Sequence, residues 1–298
     1  MRSAFVVNAA CAAFLLFAPP ATASSLQYSL IGEVDAVRSR GLGGTGAALE
    51  GDGALLWRNP LAAARQAGPT VTVSGQKGYT DDMTWLLSGV YSGAGPFAAA
   101  GGIAFYDAGI MTMTAADGTT RKVNAQQELL VVVNASVAPA SWAACGATLK
   151  GMRSSLLGEY SSEAVAMDLG IGVNPLKPLS MAAEIRNAGR SKYRRDRVRL
   201  PTTAVAGASV ATGKNSPTIL ADVGYRFDVR EAEWSAGLEY VWLSTLSIRA
   251  GAGMPALRNS PVYSLGVGLA GGRMKLEYAI RLADEAGVPN DISLTIKL

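Results

Sequence analysis

Histidine is absent from the 298 residues. An imidazole is the usual general base and the commonest metal ligand near neutral pH, so its absence removes most hydrolase triads and most zinc sites. No other cluster of acid, base and nucleophile is visible, and the chain is read as non-enzymatic, with no cofactor and no metal. Cysteine is nearly absent too. Of the two present, Cys11 lies in an N-terminal apolar run and Cys145 stands alone, so an exported mature chain has no internal disulfide and depends on backbone pairing and packing. Charge is sparse, at 17% of residues with a net of +4, and Lys and Arg are spread out except between 190 and 199. Nucleic acid is therefore not an expected partner. Unbroken membrane-length helices are missing as well. Residues 85–106 and 129–149 carry no charge, but Gly95-Pro96 and Pro139 interrupt them and Gly, Ala and Ser dilute them, which marks hairpins.

What is present begins with an export signal. Arg2 precedes an apolar run over 4–17 that ends in Ala18-Pro19-Pro20-Ala21-Thr22-Ala23-Ser24, a charged n-region, an h-region and an A-x-A cleavage site. Cys11 raises a lipoprotein signal as an alternative, but Asn8 occupies an aliphatic place and the apolar run continues past the cysteine. Cleavage after Ala23 leaves a mature chain of about 275 residues.

From Thr70 onward apolar residues alternate with polar or small ones, which is the strand period. Met274, Leu276, Tyr278, Ile280 and Leu282 share one face, and Lys275, Glu277 and Arg281 the other. The same holds for Trp234, Leu238 and Tyr240 against Glu239, for Ile219 and Val223 against Asp222 and Arg226, for Met167 and Leu169 against Asp168, and for Ile248 against Arg249. Extended along the chain, the alternation predicts about fourteen strands: 70–77, 83–93, 97–106, 128–138, 141–150, 164–174, 179–187, 202–211, 218–227, 233–242, 245–254, 262–270, 273–283 and 291–298. Their lengths suit tilted membrane crossings, and short connections alternate with longer ones, of which 107–127, 151–163 and 188–201 are the longest. A turn at Asp117-Gly118 predicts a small hairpin in the first of these.

Aromatic residues near strand ends, among them Trp85, Trp142 and Trp242, suit interfacial girdles, although strands of any kind favour aromatics. A soluble all-β domain would share the one-faced pattern, but so many strands must then enclose a very large oily interior. The expected fold is an all-β transmembrane antiparallel barrel in the bacterial outer membrane, with outer-membrane lipid as its surroundings. An even strand count returns both termini to the short-turn side, the periplasm. The expected inward charges are Asp168, Asp222, Arg226, Glu239, Arg249, Lys275, Glu277 and Arg281, read as a polar lumen, paired and hydrated.

Residues 38–61 are rich in Gly and Ala and have no period of two. Tethered at the periplasmic end, such a segment can fold into the lumen as a plug, or remain a flexible leader. The domain reading is a signal peptide over 1–23, a hatch or plug segment over 24–68 and a barrel over 69–298.

The run Arg40-Gly41-Leu42-Gly43-Gly44-Thr45-Gly46-Ala47 followed by Gly51-Asp52-Gly53-Ala54-Leu55-Leu56-Trp57-Arg58-Asn59-Pro60 resembles the N-terminal signature of the PorV/PorQ family. The blocks Ala236-Gly237-Leu238-Glu239-Tyr240 with Leu246-Ser247-Ile248-Arg249-Ala250-Gly251, and Leu276-Glu277-Tyr278-Ala279 with Asp291-Ile292-Ser293-Leu294, resemble its later blocks. Leu61, Gly53 and the terminal Leu298 depart from the family pattern. The family is related to the FadL long-chain fatty-acid transporters. The resemblance implies a fourteen-stranded barrel and a hatch over about 26–66, whose motif residues are Gly43, Gly44, Asp52, Trp57, Asn59 and Pro60, with Asp52, Asn59 and Pro60 helping to seat it.

Two functions follow from the resemblance. One is a scaffold or shuttle in protein secretion or surface attachment, with secreted or surface-anchored proteins as partners. The other is FadL-like diffusion of a hydrophobic ligand, against which the inward charges weigh. The basic stretch Arg190, Lys192, Arg194, Arg195 and Arg197 falls on the outer side by strand parity, as a site for lipopolysaccharide phosphates or an acidic protein, or as a solvated loop.

Overall fold

The computed structural model describes residues 30–78, 82–93, 95–114, 117–193, 196–211, 213, 216–256, 258, 260–282 and 288–298. The expected signal, residues 24–29 of the expected hatch, and Arg194 and Arg195 lie outside them.

Among the described residues, seventeen strands follow three short helical pieces. The pieces are α1 (Leu30–Glu33), α2 (Val37–Gly41) and a 3-10 turn at Gly53–Trp57. The strands are β1 (Thr70–Lys77), β2 (Met83–Ser92), β3 (Phe97–Asp107), β4 (Ile110–Thr114), β5 (Thr120–Asn124), β6 (Gln126–Ala140), β7 (Ala143–Leu156), β8 (Tyr160–Leu176), β9 (Leu179–Tyr193), β10 (Asp196–Arg199), β11 (Thr203–Ala211), β12 (Thr218–Arg226), β13 (Glu231–Trp242), β14 (Leu246–Met254), β15 (Val262–Gly271), β16 (Met274–Leu282) and β17 (Asn290–Lys297).

Fourteen of these close into one antiparallel barrel. Each pairs with its chain neighbour, β17 returns to β1, and β9 pairs with both β8 and β11. Closure leaves no row of unpaired backbone groups, which a bilayer demands. Among the described residues no helix is long and apolar enough to cross a membrane. Each predicted strand coincides with one barrel strand, because alternation fixes which side chains meet lipid. Val165, Leu169, Ile171, Ile219, Leu238, Ile248, Leu276 and Ile292 all point outward, while Asp168, Asp222, Glu239, Arg249 and Glu277 are buried inside.

Two predicted loops are instead strands. Residues 151–163 and 188–201 were expected as long connections, yet β6, β7, β8 and β9 run 14 to 17 residues. They continue past the apolar belt as a raised blade, to which β10 adds a fifth, short edge strand. Beyond the lipid nothing requires an outward apolar residue, so the alternation fades while backbone pairing continues. The small hairpin expected around Asp117-Gly118 is present as β4 paired with β5. Where β9 leaves the belt, Arg186 and Asn187 oppose the single Asp168 in a bulge, with Asn187 at φ 56°. The Asn187 N–H, displaced from the ladder, donates to Asp168 Oδ1 at 2.6 Å.

Candidate functional site

Residues from Leu30 to Ala64 fill the lumen. Leu42, Ala47, Leu56, Leu61, Ala62, Ala63 and Ala64 have no exposed surface, and Trp57 has 2%. A segment without amphipathic period packs this well because it is small: its backbone, rather than long side chains, meets the wall, and the wall answers with glycine. A side chain at Gly251 or Gly237 would overlap Leu42, one at Gly253 would overlap the Gly43 carbonyl, and a Cβ at Gly266 would lie 3.1 Å from the Gly41 Cα. Gly43 itself sits at φ 76°, where a Cβ would lie 2.6 Å from the Ala252 backbone.

The motif residues act as fasteners. Asn59 Nδ2 donates to Gly46 O at 2.7 Å, Leu49 O at 2.6 Å and Ala47 O at 3.3 Å, and its Oδ1 accepts from Leu61 N at 2.7 Å. It therefore ties the glycine run to the segment that follows. The Pro60 carbonyl accepts from Asn134 Nδ2 on β6 at 2.9 Å, and Pro60 occupies the space left by Gly146 and Gly170 in β7 and β8. Trp57 reaches β3, where its ring tip takes the place of a side chain at Gly102. Asp52 accepts from Ala54 N at 3.3 Å at the start of the 3-10 turn. Gly44, at φ 91°, has open space before it and faces a cavity.

The inward charges meet the hatch. Arg38 donates to Asp52 Oδ2 at 2.9 Å and to Glu239 Oε2 at 2.5 Å. Arg249 joins Glu239 at 2.7 Å to Glu277 at 2.8 Å, and Lys275 contacts Glu277 at 2.9 Å and Asp52 at 3.4 Å. Burial pushes the Asp52 carboxyl up, but Lys275 and Arg38 outweigh it and hold the group well below the usual carboxylate range. Asp222 Oδ2 accepts from Gly46 N at 2.8 Å and Ala47 N at 3.1 Å, seating the hatch backbone directly. Asp168 pairs with Lys150 at 2.7 Å. Arg226 pairs with Asp228 at 2.8 Å at the rim, and Arg281 lines the cavity.

The expected hydrated lumen is thus corrected in one respect: these charges are paired, but the hatch buries the central ones beneath it. The expected set of inward charges also left out Lys150, the Glu184–Arg186 pair at 2.7 Å, Asp291 with Arg40 at 3.1 Å, and Glu128, which accepts the Leu30 N–H at 2.5 Å. Each occupies an inward position, so the signal was present strand by strand. The partners could be chosen only once the register was known.

Above the hatch, toward the long-loop end, lies a vestibule of about 380 Å³ lined by Arg40, Arg58, Gln76, Arg186, Ser264 and Arg281 among others. One flank differs. Leu30, Val34 and Tyr106 line it too, and they belong to an apolar cluster that descends between the hatch and the inner wall. That wall is made by Leu86 and Val90 of β2, Ala98, Ala100 and Ala104 of β3, Leu130 and Val132 of β6, Met152 of β7, and Ala164 and Ala166 of β8. The apolar lining of the lumen is therefore concentrated on β2 to β8, where Glu128 and the Lys150–Asp168 pair are the buried charges named above, and the larger ion-pair network lies on β9 to β17. Nearer the terminus end the outside of β2 to β9 carries a shallow apolar groove of about 810 Å³, lined by Tyr91, Phe97, Cys145 and Ile171.

A closed fourteen-stranded antiparallel barrel whose N-terminal segment plugs the lumen is a FadL-like fold. Solved structures with this fold include the Ralstonia pickettii toluene transporter TbuX, at a TM-score of 0.67 and 14% identity, covering 89% of this chain and 99% of that one. The Pseudomonas putida toluene transporter TodX matches at 0.63 and 10%, covering 87% and 97%. A Pseudomonas aeruginosa FadL homologue matches at 0.60 and 11%, covering 88% and 98%. At these identities the likeness concerns the fold. No family profile matches the sequence, and no curated protein matches it. The FadL side of the expected relationship has structural counterparts, and the PorV/PorQ side has none among the three structures named.

Proposed function

We propose that the protein lets small hydrophobic molecules cross the outer membrane. The observation that carries this reading is the apolar seam between the hatch and the wall of β2 to β8, which opens at the vestibule beside Leu30, Val34 and Tyr106. A hydrophobic solute leaving the vestibule meets apolar side chains along that flank and buried ion pairs along the other. It moves along the first, because displacing a packed apolar contact costs far less than separating a desolvated ion pair. Of the inward charges expected to oppose uptake, all but Asp168 lie on β12 to β16, away from the apolar wall, and Asp168 is neutralised by Lys150. Asp222, Glu239 and Lys275 contact the hatch directly. The toluene-transporter neighbours support this over the secretion scaffold.

The test is uptake of toluene into liposomes that contain the purified, heat-modifiable barrel. Uptake above empty vesicles is expected, with exclusion of a hydrophilic solute of similar size. Ala104→Phe, which fills the seam at a position with no exposed surface, should slow uptake while leaving the gel shift intact. No uptake above empty vesicles would overturn the proposal.

A further inference from the structure

The outward face of the β9–β10 blade presents a set of cations that the lumen does not use. Arg190 and Lys192 of β9 stand opposite Arg199 and Arg197 of β10, so two like-charged pairs face each other across adjacent strands. All four are exposed. Directly opposed side chains have Cβ atoms about 5 Å apart, and alternate residues along a strand are about 7 Å apart. The four charges therefore start from one small rectangle of backbone. Like charges in that arrangement repel, and an anion laid over them relieves the repulsion. The row through Lys192 continues to Glu163 on β8 and Arg153 on β7, both exposed, so Glu163 is the one carboxylate among five cations.

Position names the anion. On β8 the residues after Glu163 that share its face are Val165 and Met167, which belong to the lipid-facing belt; Val165 stands opposite Arg190. The cations thus begin where the apolar wall ends, at the long-loop end, which an outer-membrane barrel turns outward. We propose that this face binds the phosphates of an outer-leaflet glycolipid. The acyl chains lie on the apolar wall of β7 to β9, and the headgroup phosphates bridge the opposed Arg190–Arg199 and Lys192–Arg197 pairs through charge-assisted hydrogen bonds. This inference depends on the barrel and its orientation in the membrane, and it does not depend on the transport reading.

The test is native mass spectrometry of the full barrel in detergent, titrated with diphosphoryl lipid A and with the same lipid stripped of phosphate. Wild type should retain the phosphorylated lipid at least tenfold more tightly than the stripped one, and high salt should erode that difference. Combining Arg190→Gln, Lys192→Gln, Arg197→Gln and Arg199→Gln should abolish the preference. Glu163→Gln, which removes only the interior carboxylate, should strengthen it, and this variant decides the matter if the quadruple one fails to fold. Equal retention of both lipids by wild type would overturn the proposal. So would an unchanged preference in a folded quadruple variant, a weakened one in Glu163→Gln, or capture of an acidic polypeptide in place of lipid A.

Discussion

Replacing Asn59 isolates the hatch from the barrel. The side chain is 2% exposed and makes four contacts, all within the hatch. In Asn59→Ala the Gly46 carbonyl keeps the Leu49 N–H at 3.1 Å. The Leu49 carbonyl and the Leu61 N–H lose the amide. Two buried groups left without it cost about 1–3 kcal/mol each, or about 2–6 kcal/mol in total. None of this falls on the strand ladders, so the loss should appear as local opening of the hatch. At about 1.4 kcal/mol per tenfold, amide exchange over 42–64 should quicken roughly thirtyfold or more, with the barrel strands unchanged. Asn59→Asp keeps the shape but cannot donate, and should behave similarly. The assay is hydrogen exchange of the barrel in liposomes, read by mass spectrometry. Unchanged protection of the hatch, or equal loss in hatch and strands, would refute the reasoning.

Further expectations concern the wall and the charge network. Lys150→Met strands the buried Asp168 and should cost about 3–5 kcal/mol in urea unfolding; adding Asp168→Asn, which still accepts the Asn187 N–H, should recover most of that. Gly146→Ala places a methyl where the Pro60 carbonyl lies and should cost about 1–3 kcal/mol, seen as faster proteolysis near Pro60 with the heat-dependent gel shift retained. Because the Asp52 carboxyl is held below its usual range, its contribution to hatch seating is complete above about pH 4 and is lost as pH falls toward the depressed folded value. Below about pH 4 hatch protection should fall more steeply in the wild type than in Asp52→Asn. The same acid loss in the two proteins over that range would contradict the assignment.

The strands were legible because lipid imposes a strict alternation. Ile219, Val223, Leu276 and Tyr278 had to face outward, which placed Asp222 and Glu277 inside. The blade was not legible, because Ser154, Ser155, Ser161 and Ser162 lie beyond the lipid, where the outward face has no reason to be apolar. The bulge at Asn187 added to this by shifting the parity of β9, so that Arg190 and Lys192 point outward although Glu184 and Arg186 point inward. The apolar lining of the lumen was hidden for a different reason. Its wall is largely alanine, as at Ala98, Ala100, Ala104, Ala164 and Ala166, and small residues opposite large ones read as filler until the hatch is seen packed against them. The Asn59-Pro60 block stood out through resemblance. Its work, tying Gly46 to Leu61 and filling the space before Gly146, depends on contacts across the lumen that no local pattern encodes.

The most direct test of the central claim is heat-modifiability. The outer-membrane fraction is isolated, and the protein's gel mobility is compared with and without boiling. A closed barrel that crosses the membrane and holds its hatch in the lumen should be recovered in that fraction and migrate faster unboiled. Recovery in the soluble periplasmic fraction, with no shift on boiling, would contradict it.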